Sequence, residues 1–154
     1  MLTLNSKKRV PHIVLADDNP DECLTFMYAL EEANVQHIFS LAENGAMLLS
    51  MLDERRFTPD IIFIDLNMKG ISGKDCLLAI RSSTKLNKVP VIVFSSDVDY
   101  VDVRFCYHAK ANLYIVKSKF VFTLSKLLNM VLQTPLGELF SVDKNQFIKN
   151  INLS

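Results

Sequence analysis

Residues 61–68 read Ile61-Ile62-Phe63-Ile64-Asp65-Leu66-Asn67-Met68, an apolar run that ends on a carboxylate. A short β-branched run without polar alternation is the pattern of a strand covered on both faces. The pattern recurs along the chain. Residues 10–16 run into Asp17-Asp18, residues 91–94 into Ser95-Ser96, and Leu113–Val116 into Lys117, while residues 37–42 supply a further strand. Between these runs the apolar spacing becomes helical, clearest at Cys23, Phe26, Met27 and Leu30 and again at Leu124, Leu127, Leu128 and Val131. Residues 47–52 and 75–80 predict two more helices. A fifth is predicted over 98–109 on a thin stripe of Val98, Val101, Phe105 and Ala109. Asn19 followed by Pro20 and Asp21 has the chemistry of a helix start: a capping side chain, a proline at the first position and an acid near the positive end of the dipole.

Five strands alternating with five helices predict an open parallel sheet with helices on both faces, because parallel neighbours need crossover connections. The class is α/β, doubly wound. At 154 residues and 49% hydrophobic the chain has the size and apolar content of one ordinary domain. Its 17 basic and 17 acidic side chains cancel, so no global field draws it onto nucleic acid or an anionic membrane. Cys23, Cys76 and Cys106 are far apart and follow no CxxC spacing, which argues for reduced, buried thiols rather than zinc or disulfides. The basic residues Lys7, Lys8 and Arg9 precede an apolar stretch too short for a signal peptide or a membrane span, and a cytoplasmic location is the expectation. The last twenty residues hold Leu136, Leu139, Phe140, Phe147, Ile148 and Ile151, too apolar for a solvated tail. The expected organisation is an N-terminal extension over 1–8, a domain over 9–134, and a C-terminal extension over 135–154 that packs on the domain or on a partner.

In an open α/β sheet the ligand site lies off the carboxyl ends of the strands. Here those ends bring together Asp17, Asp18, Asp65, Ser95 and Lys117. Clustered carboxylates must keep a proton or bind a cation, and oxygen-only ligands suit Mg²⁺. A carboxylate beside such an ion is a competent nucleophile towards phosphorus, with Lys117 and the Ser95 hydroxyl available to hold phosphoryl oxygens.

These residues, in this order, resemble the receiver domains of two-component response regulators over roughly residues 9 to 134. The resemblance implies a flavodoxin-like strand order of 2-1-3-4-5, similar to the chemotaxis response regulator. Asp17-Asp18 followed by Asn19-Pro20 looks like the family's metal-binding pair, with Asp18 the direct ligand. Asp65 looks like the phosphoacceptor, with the Asn67 carbonyl as a further metal ligand. Ser95 and Tyr114 match the switch positions and Lys117 the phosphate-binding lysine. The resemblance implies a phosphorelay: a sensor histidine kinase or phosphotransfer protein supplies the phosphoryl group, and the domain catalyses its own phosphorylation and dephosphorylation. Ser95 then draws inward, Tyr114 follows, and the signal passes by protein contact to a downstream protein or through a homodimer. Asn67 and Asp97 lie where the family tunes phosphoryl lifetime.

Three positions depart from the pattern: Lys69 and Ser118 stand where proline is usual, and Lys110 where glycine is usual. A trans peptide before Ser118 is the unstrained form, since a cis bond without proline costs about 3 kcal/mol. The rival readings are a haloacid-dehalogenase-like phosphatase, which needs an acid where Asn67 stands, a flavodoxin-like cofactor carrier, which needs a small-residue phosphate loop after the first strand, and a degenerate receiver used only for docking. His12, His37 and His108 belong to no motif and are expected to be structural or surface residues.

Overall fold

The computed structural model describes residues 9–117, 120–139 and 147–149. Its elements follow in the order β1 (His12–Ala16), α1 (Pro20–Glu32), β2 (Ile38–Ala42), α2 (Gly45–Asp53), β3 (Ile61–Ile64), α3 (Gly73–Ser82), β4 (Val91–Ser95), α4 (Tyr100–His108), β5 (Leu113–Val116), α5 (Val121–Gln133), a short α6 (Leu136–Leu139) and β6 (Ile148–Lys149). The sheet order is β2-β1-β3-β4-β5-β6, and every neighbouring pair is parallel. The doubly wound α/β class and the 2-1-3-4-5 order of the first five strands are as the sequence predicts.

The central strands β3 and β4 are buried at every position, which is why they read as unbroken apolar runs. Two cores flank them. Cys23, Phe26, Ala29 and Leu30 of α1 pack with Leu124, Leu128 and Val131 of α5 against Ile13, Leu15, Phe63 and Phe94. Leu48 and Leu52 of α2, Cys76, Leu77 and Ile80 of α3, and Cys106 of α4 cover the opposite face, against Val14, Ile62, Ile64 and Val93. All three thiols are free and buried, and burial pushes them up to about 11 for Cys23 and Cys76 and about 12 for Cys106, so none is a thiolate at neutral pH.

Two apolar stripes differ from the predicted ones. In α1, Met27 is exposed and Ala29 takes the buried position. The helix over 98–109 begins only at Tyr100, so Val98 precedes it, and Val101 in its first turn faces solvent. Cys106 is the buried residue of α4, with Val103, Phe105, Tyr107 and Ala109 partly buried around it. A helix held by one fully buried side chain is weakly anchored.

The sheet also gains a strand beyond the five expected. Phe147 is buried, its ring 5.3 Å from Tyr107 and 6.4 Å from Tyr114, and its carbonyl accepts the Tyr114 N–H at 2.9 Å. Upstream, the buried Leu139 is fixed by its carbonyl, which accepts from Asn112 Nδ2 at 3.1 Å. The Asn112 Oδ1 in turn accepts from Arg81 at 2.9 Å and from the Val91 N–H at 2.8 Å. Expectations for residues 1–8, for Ser118, and for Phe140 and Ile151 lie outside the described residues.

Lys110 ends α4 in the left-handed region, at φ 65°. The Ala111 N–H bonds the Cys106 carbonyl at 2.9 Å and the Lys110 N–H the Tyr107 carbonyl at 3.1 Å, the paired bonds that close a helix around a left-handed residue. Glycine suits that position without steric cost. Lys110→Gly is therefore expected to stabilise the protein by about 1 kcal/mol, read as a raised midpoint in urea unfolding at unchanged slope.

Candidate functional site

The β1–β3 register sets Ala16 beside Ile64, so the next residues, Asp17 and Asp65, leave the sheet side by side. Main-chain bonds fix both: the Asp17 N–H donates to the Ala42 carbonyl at 3.1 Å, and the Asp65 N–H to the Ala16 carbonyl at 2.9 Å. From the end of β5, Lys117 reaches the same point. Its Nζ lies 2.9 Å from Asp17 Oδ2 and 3.5 Å from Asp65 Oδ2, and it also donates to Glu22 Oε2. One oxygen from each of Asp17, Glu22 and Asp65 lies within 4.8 Å of the others.

Three carboxylates around one ammonium shape the electrostatics. Burial raises the Asp65 carboxyl above the ordinary aspartate range, with Lys117 pulling against it and Asp17 adding to it. Burial disfavours the Lys117 ammonium, but its bonds to Glu22 and Asp17 and the charge of Asp65 outweigh that, and the net direction is upward. Lys117 is therefore charged at neutral pH. The donor set is all oxygen and carries more negative than positive charge, a set that fits a hard divalent cation.

The remaining predicted residues sit on the adjoining loops. Asp18 is half-buried, and its Oδ2 accepts the Lys69 N–H at 3.0 Å, a bond that a proline at 69 would remove. The Asn67 N–H donates to Asp65 Oδ1 at 3.3 Å. Ser95 is buried at the end of β4, and its Oγ accepts from the Asp97 N–H at 3.5 Å. Tyr114 is fully buried, and its hydroxyl donates to the Asp97 carbonyl at 2.9 Å. The ring lies inside the fold, beside that of Phe147. Burial raises the phenol further above its usual range, with the Ser95 hydroxyl working the other way.

Asn19 positions α1 as predicted, its side chain accepting from the Asp21 N–H at 3.0 Å and the Glu22 N–H at 3.3 Å. That cap turns Glu22 towards Lys117. Sequence reasoning missed Glu22 as a site residue. The available signal was a further acid, one helical turn beyond Asp18, in a segment already known to begin a helix. The histidines lie elsewhere: His12 pairs with Ser40 Oγ at 2.7 Å, His37 with the Val35 carbonyl at 2.7 Å, and His108 is exposed at the end of α4.

A cleft of about 330 Å³ opens beside Lys117, lined by Asp21, Glu22, Thr25, Phe94, Ser96 and Leu124. A larger one, about 620 Å³, lies at the amino ends of β1 and β3 around Pro11, Asp60 and Pro135, remote from the carboxylates. Ser96, exposed and small, leaves the first cleft open towards Lys117.

A parallel α/β sheet with an acidic cluster, a buried serine and a lysine at its carboxyl edge defines a signalling receiver rather than a flavin carrier. Residues 13–131 match the response regulator receiver domain family, and the chain belongs to that family. Sensory transduction protein LytT of Oceanobacillus iheyensis is 30% identical over 106 residues; the match covers 69% of this chain and 42% of LytT. Among solved structures, the phosphorylated cyanobacterial phytochrome response regulator RcpA superposes with a TM-score of 0.73 at 26% identity, covering 80% of this chain and 91% of RcpA. The Mn²⁺-bound form of response regulator Rcp1 superposes at 0.71 with 23% identity, covering 79% and 91%. Membership makes this a two-component signalling domain whose family works with a phosphodonor. Among the described residues no helix is long and apolar enough to cross a membrane.

The approach of α3 to the backbone of Asp65 and Leu66 depends on Gly73. Its N–H donates to the Leu66 carbonyl at 3.1 Å, and a Cβ there would come within 2.2 Å of the Asp65 carbonyl oxygen and 2.7 Å of Leu66 Cα. Both obstacles are backbone. Gly73→Ala is expected to cost about 1–3 kcal/mol through this overpacking, measured by urea unfolding.

Proposed function

We propose that the chain is a response regulator that accepts a phosphoryl group on Asp65 from a sensor histidine kinase or phosphotransfer protein. The observation that carries this is the meeting of Asp65, Asp17 and Lys117 off three different strands. An Asp65 carboxylate oxygen attacks phosphorus; the new O–P bond forms as the P–N bond of the donor's phosphohistidine breaks, the electron pair of that bond stays on the departing nitrogen, and the imidazole leaves neutral with a proton on its other ring nitrogen. Lys117 and the Ser95 hydroxyl hold phosphoryl oxygens. The domain itself supplies the catalysis of transfer and of later hydrolysis, and no separate enzymatic site is invoked.

Mg²⁺ is the proposed ion, consistent with the oxygen-only donors and with Mn²⁺ bound in Rcp1. Asp17, Asp18, Asp65 and the Asn67 carbonyl would hold it. When bound, it screens the repulsion between the acceptor carboxylate and the incoming phosphoryl anion. Asp18 gives up its bond to the Lys69 N–H if it ligates the ion directly.

The output is proposed to pass from Ser95 and Tyr114 to α4, whose anchoring is weak, and then to a downstream protein or a second copy of the chain. The proposed setting is cytoplasmic, with no role for nucleic acid or membrane. The C-terminal extension over 135–154 is proposed to be part of the working domain.

Incubation with Mg²⁺ and a small phosphoramidate tests the reading. The expected result is a hydroxylamine-labile mass increase of one phosphoryl group, lost in Asp65→Asn and retained in His108→Ala. Folded, metal-loaded wild-type protein that takes up nothing would make the chain a docking module instead.

A further inference from the structure

Resting on that reading, phosphorylation sets competing demands on Lys117. Its ammonium faces three carboxylates: it donates to Asp17 Oδ2 at 2.9 Å and to Glu22 Oε2, and Asp65 Oδ2 lies 3.5 Å away at ion-pair distance. A phosphoryl oxygen on Asp65 draws on the same nitrogen, and turning the ammonium towards it loosens the hold on another carboxylate.

The three are not equally able to leave. Asp17 has a side chain only 1% exposed, and its Oδ1 also accepts the Asn19 N–H at 2.9 Å. Asp65 carries the reacting group, and its Oδ1 is held by the Asn67 N–H. Glu22 is 36% exposed, and among the described residues its carboxylate has no hydrogen-bond partner except Lys117. It stands in the first turn of α1, where an anion is favoured by the helix dipole even without a partner. It also lines the cleft that opens beside Lys117, so solvent waits to receive it. The release therefore costs least at Glu22.

We propose that Glu22 is a positioning residue that competes with the phosphoryl group for Lys117: it holds the ammonium away from Asp65 in the resting protein and swings into the cleft when the acceptor is loaded. The bonding agrees, since Lys117 donates to Glu22 and Asp17 while Asp65 lies only at ion-pair distance. Glu22 thereby sets how readily the domain is phosphorylated, without touching phosphorus.

The test measures two quantities at saturating Mg²⁺: the rate of phosphorylation by phosphoramidate, and the affinity for beryllofluoride, a non-reactive phosphoryl mimic. Glu22→Gln and Glu22→Ala are each expected to raise both by about fivefold, the scale of one charge-assisted contact made in one state and not the other. Asp21→Asn removes the same charge from the same helical turn without a recorded contact to Lys117, and is expected to change both by less than about twofold. In a Lys117→Gln background, Glu22→Gln is expected to have no effect on the rate, because the competition has lost its object. Unchanged or weakened beryllofluoride binding in both Glu22 variants overturns the proposal. So does an equal gain in Asp21→Asn or in the Lys117→Gln background, either of which would reveal bulk repulsion instead. If wild-type protein takes up neither probe, the phosphoacceptor reading fails and this inference with it; if wild type takes up both and only the Glu22 effect is missing, the inference alone fails.

Discussion

One ammonium offsets the carboxylates gathered at the carboxyl edge of this sheet. Lys117 arrives from β5, Asp17 from β1, Asp65 from β3 and Glu22 from α1, so a single buried cation joins four separately folded segments. Without it, three carboxylate oxygens within 4.8 Å of one another would repel in a poorly solvated pocket. Ion pairs at this depth rarely add net stability over apolar packing, but removing one partner leaves uncompensated charge. The arrangement is thus better understood as functional strain than as a fastening. Burial keeps Asp65 less acidic than a free aspartate, and an incoming cation or a loss of its charge would relieve the same repulsion.

The surrounding scaffold explains why this strain persists. Asp17 and Asp65 are held side by side because their N–H groups continue the pairing of β1 with β2 and of β3 with β1, and β3 is buried throughout and β1 at every position but His12. Asn19 fixes where α1 starts, and so the direction from which Glu22 approaches. Gly73 lets α3 press against the backbone of Asp65 and Leu66. Sheet register, helix cap and glycine each act on main chain, while the charged side chains are held by one another.

The strands and the strand-end chemistry were legible in the sequence because both are local signals. Buried parallel strands read as apolar runs, and the residues that end them are necessarily at the ligand edge, so Asp17, Asp65, Ser95 and Lys117 could be found by position alone. Glu22 could not, because its part depends on the rotation of a helix and on a lysine from the far end of the domain. The stripe on α4 was misjudged for a related reason: with the helix starting at Tyr100, Val98 and Val101 fall outside the face that packs. Lys69 stands where proline is usual and so brings an N–H, but only coordinates reveal that Asp18 receives it. The pairing of 148–149 with β5 had no local signature at all, since a two-residue strand is too short to show a period.

That short pairing alters the mechanics of the aromatic at 114. Its main-chain N–H is bonded to the Phe147 carbonyl, its ring lies beside the Phe147 ring, and its hydroxyl is tied to the Asp97 carbonyl. Tyr114 is thus a linkage between the loop after β4 and the chain's own C-terminal region. Any displacement of it has to drag residue 147 along or break that pairing. The border on this side of the sheet also moves: β5 has a neighbour on each side, and among the described residues the edge strand there is β6.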